Sequence, residues 1–68
     1  MVDITIYDDA GSIVFQDSFE DKQEALREAS NFLDVTGYSG QYEDDEGNVW
    51  INDNDGRGWR NPSSEFYQ

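Results

Sequence analysis

Cysteine and histidine are both missing from this chain of 68 residues, and only four residues are lysine or arginine. Without cysteine the chain forms no disulfide and no thiolate metal site. Without histidine it lacks the usual general base and the commonest metal ligand. A carboxylate pair of the glycosidase kind needs a sugar-sized cleft, for which so short a chain leaves little volume. We therefore expect no enzymatic activity, no cofactor and no metal.

Long apolar runs and targeting segments are also missing. No apolar stretch approaches the roughly 18 residues of a membrane span. The start, Met1-Val2-Asp3-Ile4, has neither a basic region nor an apolar core, so we expect no secretory signal. No repeat, linker or low-complexity segment interrupts the sequence. We expect one small acidic domain over residues 1–68, monomeric and cytoplasmic, with a loosely ordered tail over residues 62–68.

The charge balance is the strongest feature that is present. Sixteen Asp and Glu residues stand against the four cations, for a net charge of -12. Repulsion among these charges destabilises the compact state. We therefore expect the excess charge to serve a purpose, which is a function, solubility or adaptation to a salty habitat. The same charge opposes direct binding to nucleic acid or to anionic membranes. A chain of this length has a diameter of about 28 Å, and duplex DNA of that length carries about 16 charges. The domain thus has the charge of a DNA segment that it could replace.

Alternating apolar residues predict a hairpin at the start of the chain. Val2, Ile4 and Ile6 follow the period of two that is typical of a half-buried strand. A turn over residues 8–11 follows, and residues 12–16 form a second predicted strand.

A helix is predicted next. Two capping frames are available, Ser18 with Asp21 and Asp21 with Glu24, so the helix begins near residue 19 or 21. It ends near residue 33 or 34, before Gly37. Five apolar residues form one stripe at the helical period and should face the core: Ala25, Leu26, Ala29, Phe32 and Leu33.

Three short strands are predicted after the helix, over residues 38–43, 48–52 and 57–60, separated by turns rich in Asp and Gly. Trp50 and Trp59 should lie in or beside the core. The resulting order is β-β-α-β-β-β. The fold class is α+β: an antiparallel sheet of four to five strands with one helix packed across one face.

The acidic residues concentrate at the predicted turns and on the outer face of the helix. Turns favour Asp and outer helical faces are solvated, which explains several of these positions. It does not explain why so few cations accompany them, since ordinary surfaces mix both signs. Tyrosines on such a face would anchor an arginine-rich partner by stacking and cation–π contact. The candidate partner-binding residues are Asp8, Asp9, Glu20, Asp21, Glu24, Glu28, Glu43, Asp44, Asp45, Glu46, Asp53, Asp55, Tyr38 and Tyr42.

A calcium loop of the EF-hand type is excluded. Asp53-x-Asp55-Gly56 matches part of that pattern, but its first and twelfth ligand positions then fall on Ile51 and Pro62. Neither side chain supplies an oxygen. Loose cation binding by residues 44–46 stays open.

In size, charge, missing Cys and His, and element order the chain resembles the small phage-encoded anti-CRISPR proteins. The similarity is to type I inhibitors that act as acidic DNA mimics, with type I-C favoured. It covers the whole chain, and the similar elements are the hairpin, the helix around residues 21–29 and the closing strands with Gly58-Trp59. The resemblance implies a partner in the host bacterial cytoplasm: a subunit of the type I CRISPR surveillance complex. The inhibitor would occupy the basic site that reads the protospacer-adjacent motif and would block target DNA.

Two other interpretations remain. One is an acidic DNA mimic that inhibits a different DNA-binding protein, such as a restriction enzyme, a repressor or a nucleoid protein. The other is a halophilic or solubility-driven acidic interaction domain. A mimic should concentrate its acids on one face or ridge, whereas a solubility surface should spread them evenly.

Overall fold

A computed structural model describes residues 1–61 of the chain, and the predicted tail over residues 62–68 lies outside this range. The expected α+β architecture is confirmed: one helix packs on one face of an open four-stranded antiparallel sheet. The elements, in chain order, are β1 (Val2–Tyr7), β2 (Ile13–Phe19), α1 (Lys22–Thr36), β3 (Ser39–Glu43) and β4 (Val49–Asn52). No helix within residues 1–61 has the length and apolar character needed to cross a membrane.

The sheet has the order β2-β1-β3-β4, with every neighbouring pair antiparallel. β1 is central because its alternating Val2, Ile4 and Ile6 give it a fully apolar face, which α1 covers; all three are at most 2% exposed. The other face of the sheet carries no helix. The alternating apolar residues at the start of the sequence therefore indicated which side chains form the centre of the core.

α1 begins at the second of the two predicted capping frames. The Asp21 carboxylate accepts a hydrogen bond from the Gln23 N–H at 2.9 Å, which is N-cap geometry. The frame that begins at Ser18 is wrong, because Ser18 pairs with Asp3 inside β2. β2 thus extends three residues beyond its predicted end at Gln16. The helix ends at Thr36, two to three residues beyond its predicted end, and Gly37 caps it by donating its N–H to the Leu33 carbonyl at 2.8 Å.

The predicted helix stripe faces the sheet. Ala25, Ala29 and Leu33 are buried, while Leu26 and Phe32 are half-buried at the margin of the core. The two alanines let the helix approach the strands closely. The Phe32 ring meets Phe15 of β2 with centroids 5.4 Å apart. The inner side of the helix was therefore predicted correctly.

The predicted fifth strand over residues 57–60 is not formed. Arg60 makes a single bridge to Ile51, with two backbone hydrogen bonds of 2.8 Å. Gly58 has a φ of +75°, which an extended strand does not accommodate, so pairing cannot continue. Trp59 nevertheless packs edge-on against Tyr42 with ring centroids 5.0 Å apart. Trp50 and Trp59 are half-buried against the core, as expected.

Candidate functional site

The strand register brings acids from distant parts of the sequence to one end of the sheet. At this end β1 and β4 begin while β2 and β3 finish, as the pairs Val2 with Phe19 and Glu43 with Val49 show. α1 starts here too, two residues after β2. We call this region the acidic end. It holds nine of the fifteen described carboxylate side chains: Asp3, Asp17, Glu20, Asp21, Glu24, Glu43, Asp44, Asp45 and Glu46.

Few positive groups accompany the acidic end. Lys22 is the one basic side chain that residues 1–61 place at this end. Its Nζ atom lies over the rings of Tyr42 and Trp50, at 5.8 and 5.9 Å from their centroids. The amino terminus forms an ion pair with Asp45. The excess of carboxylates over cations is therefore largest at this end.

The opposite end of the sheet carries five further acids, of which Asp34 alone is not in the predicted set: Asp8, Asp9, Asp34, Asp53 and Asp55. The net charge at this end is closer to zero. Arg57 contacts Asp55 at 3.2 Å and Arg60 contacts Asp53 at 2.5 Å. Glu28 lies between the two ends, on the exposed side of α1 beside Arg27. The fold thus places seven of the twelve predicted acids at the acidic end, four at the opposite end and one between them.

Several of the predicted acids hold turns together. In the first hairpin, Asp8 Oδ1 accepts hydrogen bonds from the N–H groups of Ala10 and Ser12 at 3.0 and 2.9 Å. Asp44 repeats this arrangement in the β3–β4 hairpin, accepting from Glu46 and Asn48, both at 3.0 Å. These carboxylates have structural roles, as turn chemistry predicts. Their substitution would change the fold as well as the charge.

The Asp44 carboxyl has a perturbed pKa. Partial desolvation raises the pKa of Asp44, but hydrogen bonds from the Asn48 N–H, the Trp50 indole and the Glu46 N–H outweigh this effect, with help from Lys22. The net result is a pKa below the ordinary value. The fold therefore favours the ionised form of Asp44 despite the surrounding negative charge.

A second group of acids has no such role. The side chains of Glu20, Glu24 and Glu46 are exposed at the acidic end and make no hydrogen bond or ion pair with any of residues 1–61. Asp9 and Asp34, at the opposite end, likewise make no hydrogen bond or ion pair through their side chains with any of residues 1–61. These positions provide variants that change charge without removing a contact.

The two tyrosines offered as partner anchors do not lie on an exposed acidic surface. Tyr42 is only 3% exposed, because it faces α1 and stacks with Trp50 at a centroid distance of 6.1 Å. Its burial raises the pKa of its phenol. Tyr38 is half-buried near the opposite end, where its carbonyl accepts from Asn54 Nδ2 at 3.0 Å. Tyr42 is therefore a core residue and is not available to a partner.

The uncovered face of the sheet holds a groove that the sequence pattern did not single out. Two cross-strand rows form it, Gln16–Thr5–Gln41 and, one step nearer the acidic end, Ser18–Asp3–Glu43. These side chains and Asp17 line a volume of about 480 Å³. Thr5 is the shortest member of its row and lies between two glutamines. In the sequence, this groove was indicated by Asp3 and Thr5, the polar residues that alternate with the apolar residues of β1.

No group of three or more Asp, Glu, His or Cys side chains within residues 1–61 is arranged to hold a metal ion. At the residues 44–46 considered for loose cation binding, Asp44 is engaged with the turn and Asp45 with the amino terminus. The geometry there is that of a capped hairpin.

No protein-family model, curated protein or solved structure matches this chain.

Proposed function

We propose that this chain is an inhibitor that occupies the basic groove of a nucleic-acid-binding protein in place of DNA. We further propose, from the resemblance of its size, charge and element order, that its target is the DNA-binding site of a type I CRISPR surveillance complex. The observation that supports a mimic is the uneven distribution of charge. Nine of the fifteen described carboxylates lie at the acidic end, beside one lysine.

The dimensions of the molecule suit this role. Its longest extent is 32 Å, a length over which duplex DNA carries about 19 phosphate charges. The chain carries 16 carboxylate side chains. The nine carboxylates of the acidic end alone equal the phosphate charge of about 15 Å of duplex, so a groove of lysines and arginines that holds a short stretch of DNA would meet a comparable charge there. Complementary potentials of this kind speed association and select the partner.

A purely solubilising surface explains the distribution less well. Colloidal stability needs net charge but does not need that charge to be concentrated. Gathering like charges at one end, with Asp3 and Glu43 directly opposite each other on neighbouring strands, destabilises the fold. A binding role at the acidic end would explain why the fold retains this destabilising concentration of negative charge.

Paired charge-reversal variants test the proposal. One variant combines Glu20→Lys and Glu46→Lys at the acidic end. Its matched control combines Asp9→Lys and Asp34→Lys at the opposite end. Both change the net charge by the same amount, and none of the four side chains makes a hydrogen bond or ion pair within residues 1–61. Each variant is tested for capture by purified type I surveillance complex and by host DNA-binding proteins, with and without competing duplex DNA.

The expected result is that the acidic-end variant binds at least about tenfold more weakly, since like charges across an interface cost several kcal/mol. The control should bind within about threefold of the parent, and DNA should displace both the parent and the control. Equal loss in both variants would indicate a response to net charge alone. Unchanged binding in both would contradict a role for the acidic end.

A further inference from the structure

The groove on the uncovered face of the sheet has at its floor a polar side chain that is more than nine-tenths buried and has no hydrogen-bond partner among residues 1–61. Thr5 is 7% exposed, and its side chain lines the groove between Gln16 and Gln41. The Thr5 hydroxyl makes no hydrogen bond to any of residues 1–61. Polar side chains buried to this degree are usually paired within the protein. The Thr5 hydroxyl oxygen is not completely buried and meets solvent in the groove, so its free bonding positions open toward a ligand that would lie there.

Negative charge surrounds this floor. Asp3 precedes Thr5 by two residues on the same face of β1, and Glu43 lies directly opposite Asp3 on β3. Directly opposite residues of this kind have Cβ atoms about 4.5–5.5 Å apart, so the two carboxylates share one site. Ser18, on the other side of Asp3, donates its hydroxyl hydrogen to Asp3 Oδ1 at 2.5 Å. This bond orients the Asp3 carboxylate and leaves further acceptor positions open.

We infer that the groove receives the guanidinium group of an arginine side chain from the protein partner. The carboxylates of Asp3 and Glu43 supply the charge, and the Thr5 hydroxyl and the glutamine amide oxygens supply further acceptors. The inference rests on the proposed function only in assigning this arginine to a nucleic-acid-binding protein. The chemistry of the groove itself depends only on the residues that line it.

Arginine fits this arrangement better than lysine does. Its planar fork presents five N–H donors, enough to reach two carboxylates and a hydroxyl at once. The lysine ammonium is a compact and strongly hydrated charge with three donors, and it loses more hydration on entering a groove. The acceptors in the groove are spread over two rows of side chains on three strands, which matches a fork rather than a point charge.

An arginine peptide tests the inference on the isolated protein. The probe is an acetylated and amidated Gly-Gly-Arg-Gly-Gly peptide, with its lysine analogue as the matched probe. Amide chemical shifts are followed by NMR during each titration. We expect the arginine peptide to move the resonances of Thr5, Gln16 and Gln41 and to bind at least about fivefold more tightly than the lysine peptide.

Variants at Thr5 separate the hydroxyl from its surroundings. Thr5→Val keeps the shape and removes the hydroxyl, so it should weaken arginine binding about tenfold, the effect of one hydrogen bond to a charged group. Its melting temperature should not fall, because the lost hydroxyl has no partner within residues 1–61. Thr5→Ser restores the hydroxyl and should restore binding. Asp3→Asn should weaken binding, whereas Asp9→Asn, the same charge change at the opposite end, should not.

The outcomes distinguish this inference from the proposed function. Equal binding of the lysine peptide, shifts spread over all acidic residues, or full binding by Thr5→Val would overturn the groove assignment. The partner could still be captured and displaced by DNA in that case. Conversely, specific arginine binding in the groove, combined with no capture of any nucleic-acid-binding protein, would support the groove and reject the mimic.

Discussion

Gly40 offers the sharpest test of how closely the helix and the sheet are packed. It lies in β3 on the side that faces α1, and it pairs with Ile6. A methyl group added at Gly40 would meet Ile6 Cδ1 at 2.8 Å, the Thr5 carbonyl oxygen at 3.2 Å and Leu33 Cδ2 at 3.6 Å. The first contact is closer than side chains tolerate, and Ile6 is completely buried and cannot swing away. We therefore expect Gly40→Ala to force the core apart.

Opposing terms decide the magnitude of this effect. Overpacking typically costs about 1–3 kcal/mol. Alanine in place of glycine recovers about 0.4–1 kcal/mol by restricting the unfolded chain. The net loss should be about 1–2 kcal/mol, which for a domain of this size lowers the melting temperature by about 5–15 °C. Thermal unfolding followed by circular dichroism and tryptophan fluorescence measures it.

A double-mutant cycle identifies the clashing atom. Ile6→Val removes Cδ1 and alone should cost about 0.5–1.5 kcal/mol. Combined with Gly40→Ala, it should cost at least about 0.5 kcal/mol less than the two separate losses together, because the worst contact is gone. The Thr5 carbonyl cannot move, so rescue should be incomplete. A Gly40→Ala protein as stable as the parent, or strict additivity in the cycle, would refute the packing described for this site.

Three further predictions concern the core and the charges. Phe32→Ala should cost about 2–3 kcal/mol in urea denaturation, less than for a fully buried phenylalanine, because Phe32 is half-buried against Phe15; a loss near zero would contradict that contact. Raising NaCl from low to physiological concentration should raise the melting temperature by screening repulsion at the acidic end, and a flat profile would mean that this repulsion is small. The pKa of Asp44 is lowered in the fold, so its ionised form contributes stability that is present above its unfolded pKa and is lost as pH falls through the lower folded pKa. The parent should therefore melt above Asp44→Asn near neutral pH, and the difference should close below about pH 4; a difference that widens in acid would reverse the assigned direction.

Local patterns in the sequence were sufficient for the main elements. The alternation in β1 and the apolar stripe of α1 determine which faces are buried, because burial of those faces is what stabilises them. The choice between the two capping frames could not be made locally. Ser18 is a good cap by residue type, but its pairing with Asp3, fifteen residues away, keeps it in β2.

The acidic end and the groove needed information that local patterns do not contain. Asp3, residues 17–24 and residues 43–46 meet because β1 lies between β2 and β3, and that order depends on long-range pairing. The misassignment of Tyr42 has the same origin. Tyr42 and Gly40 share one face of β3, and only the pairing with β1 decides that this face meets the helix. Glycine generally weakens the interior of a strand, but Gly40 lies where the core leaves no room for a side chain.

Displacement of DNA from a type I surveillance complex tests the central proposal most directly. A fluorescently labelled duplex with a protospacer-adjacent motif is bound to the complex, and its anisotropy is followed as this protein is added. A mimic should lower DNA binding competitively, so that more DNA restores it, and the Glu20→Lys, Glu46→Lys variant should require at least about tenfold more protein than the Asp9→Lys, Asp34→Lys control. A complex that holds DNA and this protein at the same time, or that ignores the protein altogether, would contradict the proposal.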